Sequence, residues 1–450
     1  KCGSKKERIP DVLDVWIDAG VGSWACLYYP QKTEHFEKLF PSDFILEARE
    51  QVRGWFNLLM VSSVLALDKI PFKNVYVHGM LTDIEGKKMS KSLGNVISPY
   101  EAMEKYGSDA LRFYMSQSNA GEDINFSWDE MKNKFKILSI LWNVHEYLLN
   151  YCSSLSIDPT RMPEELDLEE KYILSKLNKT IKNVTEMYEF YLIDKVPKEL
   201  ESLIIALSRE YIQSTRDKMS EKPHLVVSTI YKVLVETIKM LSTVSPFISE
   251  KIYQNLKLPF NLENESVSLE EWPKYNPKLI DENLEKQLAM AQDIIQAGLA
   301  AREKAKKGVR WPIKEIQIIS SNKDVKTTLD NFEDLLKSKL NVKEIRHEET
   351  FKFESVNVSP NKSQIGKDFK TDAPLIYEKL TQEHLSKFYE KREVKVEEFL
   401  LKRNHFFIEE IMPEGLAASE FKNGKVILNL EITKELEQEG FARETIRRIQ

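Results

Sequence analysis

The chain has 450 residues, 42% hydrophobic and 30% charged, with a formal net charge of −6. That length is ample for several cores, roughly three domains, and the acidic excess excludes a polybasic chain, so any RNA contact must use local basic faces. Cys2, Cys26 and Cys152 lie too far apart to imply a disulfide framework, no apolar run approaches the ~20 residues of a membrane span, and no secretory signal is legible. A reducing, cytoplasmic setting is expected.

The first residues, "KCGSKK", admit two readings. Cys2-Gly3 is either the tail of a Cys-x-x-Cys zinc knuckle completed upstream or a surface cysteine. Residues 9–126 then alternate short apolar strands with helical patterns. "DFILEA" and "NVYVHGML" read as strands, and "GWFNLLMVSSVLAL" between them as a helix. Such a strand–helix–strand unit closes within a parallel sheet. The next stretch, "GKKMSKSLGN" (Gly86 to Asn95), has no apolar repeat and reads as a cationic loop. It feeds "SPYEAMEKYGSDALRFYM", where Ser98, Pro99 and Glu101 predict a helix start with a capping box. Loops that follow strand C-termini are where open α/β sheets bind ligands.

Long amphipathic stretches follow at 128–151, 168–191, 195–220 and 223–257, predicting a helical bundle with a kink or restart at Pro246. "LPFNLENESVSLEEWP" reads as a linker. The helix "ENLEKQLAMAQDIIQAGLAAREKAKK" should end at Gly308 after a basic last turn. "VRWPIKEIQIIS" reads as a strand, and residues 324–450 mix helices and strands. The expected order is therefore α/β (1–127), all-α (128–275), then small α/β or α+β domains (276–450).

Lys87, Lys88 and Lys91 read physically as a mobile cationic lid for a polyphosphate, the alternative being a solvated basic loop. Two unit charges ~4 Å apart are worth ~4 kcal/mol at an effective dielectric of 20. Applied in the transition state, part of that accelerates a reaction strongly.

"KMSKS", Lys88 to Ser92, is the signature of class I aminoacyl-tRNA synthetases. Its context resembles the isoleucyl-tRNA synthetase family of archaeal and eukaryotic type. "PDVLDVWIDAGVGSWA", "DFILEAREQVRGWFN" and "PFKNVYVHGM" carry that resemblance, and "RGWF" favours isoleucyl over valyl and leucyl relatives. "SREYIQSTRDK", "SPFISEKIYQNL", "AREKAKKGVRWPI" and "ELEQEGFARETIRRIQ" extend it to the helical anticodon-binding and C-terminal regions.

The resemblance implies the C-terminal half of a Rossmann-like catalytic domain, activating isoleucine with ATP and Mg2+ and transferring it to tRNA(Ile). Lys91 would contact ATP with Lys88 assisting, and Met89, Ser90 and Ser92 would share the loop's nucleotide contacts. Glu47 would bind the adenylate or its amino group, Glu50 would sit beside it, and Gln51 would take the ribose side. His78 and Gly79 would end the strand beneath the adenosine. Each has a bland alternative: Glu47 as a helix cap, His78 as a satisfied strand-end histidine, Trp55 as core.

The family usually reads Asp-Ser-Gly where this chain has Asp18-Ala19-Gly20. It usually reads Glu-Gly-x-Asp-Gln where this chain has Glu47-Ala48-Arg49-Glu50-Gln51. The methyl of Ala48 stands where the backbone should approach a ligand. The family's His-x-Gly-His motif is absent: the histidines are His35, His78, His145, His224, His347, His384 and His405. The inserted editing domain is absent as well. The isoleucyl enzymes are the standard illustration of why editing is needed, since one methylene separates isoleucine from valine. The chain thus reads as the C-terminal part of a longer, monomeric polypeptide, its partners being the missing N-terminal half, tRNA(Ile), isoleucine and ATP, with no membrane. The alternatives are a tRNA-binding fragment without chemistry and a valyl or leucyl specificity.

On the RNA side, Trp142, Arg209, Tyr211 and Arg216 are the candidates for tRNA binding, with core packing as the alternative for Trp142. Lys304, Lys306, Lys307 and Arg310 either touch phosphates or complement a helix C-terminus.

Overall fold

The computed structural model describes residues 5, 7–12, 14–351, 355–391 and 393–449. Cys2 and its possible zinc knuckle lie outside the described residues. The chain divides into two compact units, Lys1–Asp281 and Glu282–Gln450.

In the first unit, short helices α1 (Val15–Gly20), α2 (Gly22–Ala25) and α3 (Glu34–Leu39) precede strand β1 (Ile45–Ala48), helix α4 (Trp55–Leu67) and strand β2 (Val75–His78). β1 and β2 pair in parallel with Ala48 opposite His78, as the strand–helix–strand pattern predicts. Ile45 packs with Phe56 and Leu59 of α4, so one face of the sheet is buried by that helix. The expected strand "NVYVHGML" breaks after His78. Gly79 and Met80 leave the ladder, and β3 (Leu81–Thr82) pairs instead with β4 (Ile124–Asn125). The reason is a close backbone crossing: a Cβ on Gly79 would lie 1.8 Å from the Glu122 carbonyl oxygen.

Helix α5 (Pro99–Tyr106) starts where Pro99 sets the first turn, but the predicted capping box does not form. Glu101 turns to Lys105 one helical turn on, at 2.7 Å. Helix α6 (Ser108–Met115) follows. The bundle comprises α7 (Trp128–Leu155), α8 (Leu168–Glu189), α9 (Val196–Ile205), α10 (Pro223–Leu241) and α11 (Pro246–Phe260). Pro246 restarts the helix rather than kinking one. The 195–220 stretch is not one α-helix: a π-helical segment, Ala206–Ile212, continues α9, and a 3-10 turn covers Asp217–Ser220. Residues 276–281 fasten onto α8, where Asn276 N donates to Asn178 Oδ1 (2.7 Å) and Asp281 N to Ser175 Oγ (2.8 Å). They therefore belong with the helical bundle and not, as expected, with the C-terminal region.

The second unit opens with α12 (Glu282–Lys304), β5 (Ile313–Ile319), α13 (Lys323–Leu340) and β6 (Val342–Glu348). α12 and α13 meet at Gly298, where a Cβ would sit 2.6 Å from Leu340 Cδ2. α12 stops short of Gly308, and Lys306 takes the left-handed conformation (φ 55°) that glycine was expected to supply. Next come β7 (Ser355–Pro360), α14 (Lys362–Phe369), α15 (Ala373–Lys379), α16 (Gln382–Lys391), β8 (Val394–Val396), β9 (Phe399–Leu401) and β10 (Phe406–Ile411). They enclose a small core of Ile365, Ile376, Phe388, Val396, Leu401 and Phe406. β11 (Leu416–Phe421), β12 (Gly424–Asn429) and α17 (Lys434–Ile449) end the unit. One mixed sheet has the order β11-β12-β5-β6, with β5 parallel to β6 and the other pairs antiparallel.

Candidate active site

Two chain segments leave the same edge of the parallel pair. β1 delivers Glu47 to Gln51 and β2 delivers His78 and Gly79, with Glu47 opposite Val77 and Ala48 opposite His78. Glu47 and Glu50 are exposed, the latter in a 3-10 turn (Arg49–Val52). Gln51 folds back so that its Oε1 accepts the Trp55 N–H at 2.8 Å, capping α4. Gly54 permits this, since a Cβ there would stand 2.6 Å from Gln51 Oε1. Ala48 is 5% exposed, and its φ of −74° and ψ of 162° suit any residue. Its methyl is therefore buried. Trp55 donates its indole N–H to the Ala19 carbonyl at 3.0 Å, a packing role between α1 and α4. His78 Nδ1 lies 2.6 Å from the Gly79 carbonyl oxygen.

Asp123, which the sequence reading passed over, ties these exits together. Its Oδ1 accepts the Met80 N–H (2.7 Å) and its Oδ2 accepts Arg49 Nη2 (2.9 Å). The Met80 N–H holds the Asp123 carboxyl below its ordinary value, with Arg49 adding to the effect. A cavity of about 390 Å3 lies against Leu46, Tyr76, His78, Gly79 and Met80.

The lysine loop is laced by side-chain bonds to its own backbone. Asp83 accepts from the N–H groups of Glu85 (3.0 Å) and Lys87 (2.8 Å) and from Asn95 Nδ2 (2.8 Å). Asn95 also donates to the Lys88 carbonyl (3.2 Å) and accepts the Ser90 N–H (2.9 Å). Ser90 Oγ caps the short 3-10 turn Lys91–Leu93 by accepting the Leu93 N–H at 3.3 Å, and lies 3.1 Å from Ser92 Oγ. The thioether of Met89 accepts the Ile97 N–H at 3.4 Å. Gly86 and Gly94 take positive φ at the two bends. These bonds, that from Asn95 first, hold the Asp83 carboxyl below its ordinary value. Lys87 pairs with Glu85 at 2.6 Å. Lys88 and Lys91 are exposed and have no ion pair among the described residues. The scaffold is satisfied internally and presents two free ammonium groups, the arrangement a mobile anionic substrate requires. The sequence signal for Asp83 was present as "DIEG", an aspartate opening a turn that glycine closes.

The RNA candidates separate. Arg209 and Arg216 are exposed, and Trp142 is half-buried with its ring 4.6 Å from that of His145. Tyr211 is 1% exposed, and its hydroxyl donates to Glu170 Oε1 at 2.8 Å. Burial beside that carboxylate drives the phenol pKa far up. A ring so enclosed offers no stacking face, so Tyr211 is a core residue of this structure rather than a base contact. Among the described residues no group of three His, Cys, Asp or Glu side chains could hold a metal ion. No helix among them is long and apolar enough to cross a membrane.

Two stretches of the chain match known families. A family model described as tRNA synthetases class I (I, L, M and V) matches residues 2–127. A second, described as the anticodon-binding domain of tRNA ligase, matches residues 170–318. The whole chain aligns with proteins named isoleucine–tRNA ligase from Pyrococcus horikoshii (38% identity) and Pyrococcus furiosus (39%). It spans 43% of the length of each of these relatives. A solved LeuRS–tRNA–LeuAMS complex of Agrobacterium radiobacter K84 shares the fold over 62% of this chain and 35% of that one, with a TM-score of 0.51 and 23% identity.

Proposed function

We propose that this chain, similar over residues 2–127 to class I tRNA synthetases and along its length to isoleucine–tRNA ligases, supplies the lysine-loop half of an isoleucine-activating site together with RNA-binding helices of an isoleucine–tRNA ligase. The observation that carries the reading is the loop itself, prefolded by Asp83 and Asn95, with Lys88 and Lys91 in no ion pair among the described residues.

In the proposed reaction the isoleucine carboxylate forms a bond to the α-phosphorus of ATP. The bond to the bridging oxygen breaks, and pyrophosphate departs with the electron pair. A ribose hydroxyl of tRNA then attacks the carbonyl of the adenylate and AMP leaves. Lys88 and Lys91 neutralise charge gathering on the departing phosphates, so their contribution grows toward the transition state. Glu47 takes the substrate ammonium, with Glu50 beside it. Gln51 has its oxygen committed to α4, so its amide N–H groups face the ribose. His78 and Gly79 support the adenosine. Mg2+ enters with the phosphates of ATP as part of the substrate, consistent with its preference for phosphate and water ligands. Arg209, Arg216 and Trp142 are the RNA contacts of the bundle.

The edge of β1 supports a partner segment. β1 pairs only with β2 among the described residues, while Val52, Val61 and Leu65 nearby are exposed. Parallel sheets are normally covered on both faces and continued at their edges. A segment carrying the His-x-Gly-His motif would complete that sheet. The test is isoleucine-dependent ATP–pyrophosphate exchange by this chain combined with such a segment. Exchange is expected only with both pieces and with isoleucine preferred over valine and leucine. No exchange with any branched amino acid would overturn the reading and leave an RNA-binding chain without chemistry.

A further inference from the structure

The second unit carries a basic loop whose shape is fixed from beneath. Residues 302–310, "REKAKKGVR", hold five cations and one acid in a chain of net charge −6. Two of the five face inward or sideways. Arg302 is 1% exposed, and its guanidinium donates to four carbonyls: Gly308 (3.1 Å), Trp311 (3.0 Å), Leu340 (2.5 Å) and Asn341 (3.0 Å). Lys304 donates to the Ala418 carbonyl at 3.1 Å. From the other side Asn341 Nδ2 donates to the carbonyls of Val309 (2.8 Å) and Arg310 (3.2 Å). The chain therefore buries a charge, at a desolvation cost, to hold a loop whose remaining cations repel one another.

What the loop presents is a groove of about 630 Å3. Lys306, Lys307, Arg310 and Trp311 form one wall, and Ile432 with residues of α17 the other. Trp311 stands edge-on to Phe441, ring centroids 5.2 Å apart. Gly440 lets α17 approach, since a Cβ there would lie 2.4 Å from the indole. α17 contributes two acids, Glu437 and Glu444. Glu444 pairs with Arg310 at 3.2 Å. Lys306 and Lys307 have no ion pair among the described residues.

We propose that this groove is an RNA-backbone site in which Lys306 and Lys307 contact successive phosphates while the indole of Trp311 borders the sugars. The site rests on the reading that the chain binds tRNA, and it adds to that reading a contact surface walled by α17, beyond the 170–318 span of the anticodon-binding match. Two unpaired lysines on a pre-shaped loop beside an aromatic edge suit a polyanion with regular charge spacing. RNA is favoured over an acidic peptide because that match covers the loop.

The test uses the full chain and an unmodified tRNA(Ile) transcript, with affinity measured by fluorescence anisotropy across a salt series. Lys306→Glu with Lys307→Glu should weaken binding at least ~10-fold near 0.1 M salt. It should also make the slope of log K against log salt shallower by about 1.5 to 2. Lys306→Arg with Lys307→Arg should restore both. Independently of any variant, bound transcript should protect Lys306 and Lys307 of the parent chain from amine acylation. Unchanged affinity and slope in the glutamate pair, with no protection, would overturn the site alone. A parent chain that ignores the transcript, or binds polyglutamate at these lysines instead, overturns the RNA assignment. Transcript binding with the predicted salt response but no isoleucine activation would overturn the catalytic reading and leave this site standing.

Discussion

Asp109 is the residue through which the segment after the lysine loop grips the helical bundle. It lies on α6 and is 8% exposed. Its carboxylate accepts the Ile248 N–H at 2.6 Å and the Phe247 N–H at 3.4 Å, capping α11 from a distant element. Ser245 Oγ donates to its carbonyl (3.2 Å), and Arg112 Nε donates to the Val244 carbonyl (3.1 Å). Ser245 itself makes no side-chain cap. Asp109→Ala removes the cap and leaves two N–H groups without acceptors, at about 2 kcal/mol, or roughly 30-fold in local opening. Burial pushes the Asp109 carboxyl up, more than its two backbone bonds pull it down. Asp109→Asn keeps an acceptor without a buried charge and should cost well under ~1 kcal/mol. The sign follows: a raised folded value means a contribution present below ~4, the unfolded value, and lost as pH rises through the folded value. Asp109→Asn should abolish that dependence. Hydrogen exchange of the peptide 244–252 is the assay. Parent-like protection in Asp109→Ala would refute the reasoning.

Asn95→Ala removes the bonds to Asp83, Lys88 and Ser90 and should loosen the loop. Tryptic cleavage after Lys88 and Lys91 should accelerate ~10-fold, and an unchanged rate would contradict the prefolded loop. Gly79→Ala drives a methyl into the Glu122 carbonyl and should cost about 3 kcal/mol, read as a lower urea midpoint. His145 is fully buried, its Nε2 3.0 Å from Asn255 Nδ2 and its Nδ1 3.2 Å from the Trp142 carbonyl oxygen. Burial lowers its pKa. Its contribution is present above ~6.5, the unfolded value, and lost as pH falls through the folded value. The urea midpoint of His145→Gln should therefore change less between pH 7 and 5.5 than that of the parent.

Legibility tracked the range of the interactions. The parallel pair around α4 was readable because apolar strands flank an apolar helix, and the starts at Pro99 and Pro246 because proline sets its own φ. Failures came where a competing partner decided. Glu101 left its cap for Lys105. Gly308 was spared the bend because Arg302 and Asn341 hold the loop after Lys306. Tyr211 was misread because the π-helical segment departs from the 3.6-residue period and because Glu170, far off in sequence, gives its hydroxyl a buried partner. The loop lysines were legible from a motif. Asp83 was marked only by its turn, and Asn95 and Asp123 by nothing, since most of their partners are backbone groups that a sequence does not display.

The most direct measurement concerns Lys88 and Lys91 in the chain joined by a His-x-Gly-His segment. Lys88→Ala with Lys91→Ala should lower the rate of isoleucine-dependent pyrophosphate exchange by at least ~1,000-fold, about 4 kcal/mol, while the fold and transcript binding persist. Exchange at the parental rate in that double variant would contradict the account.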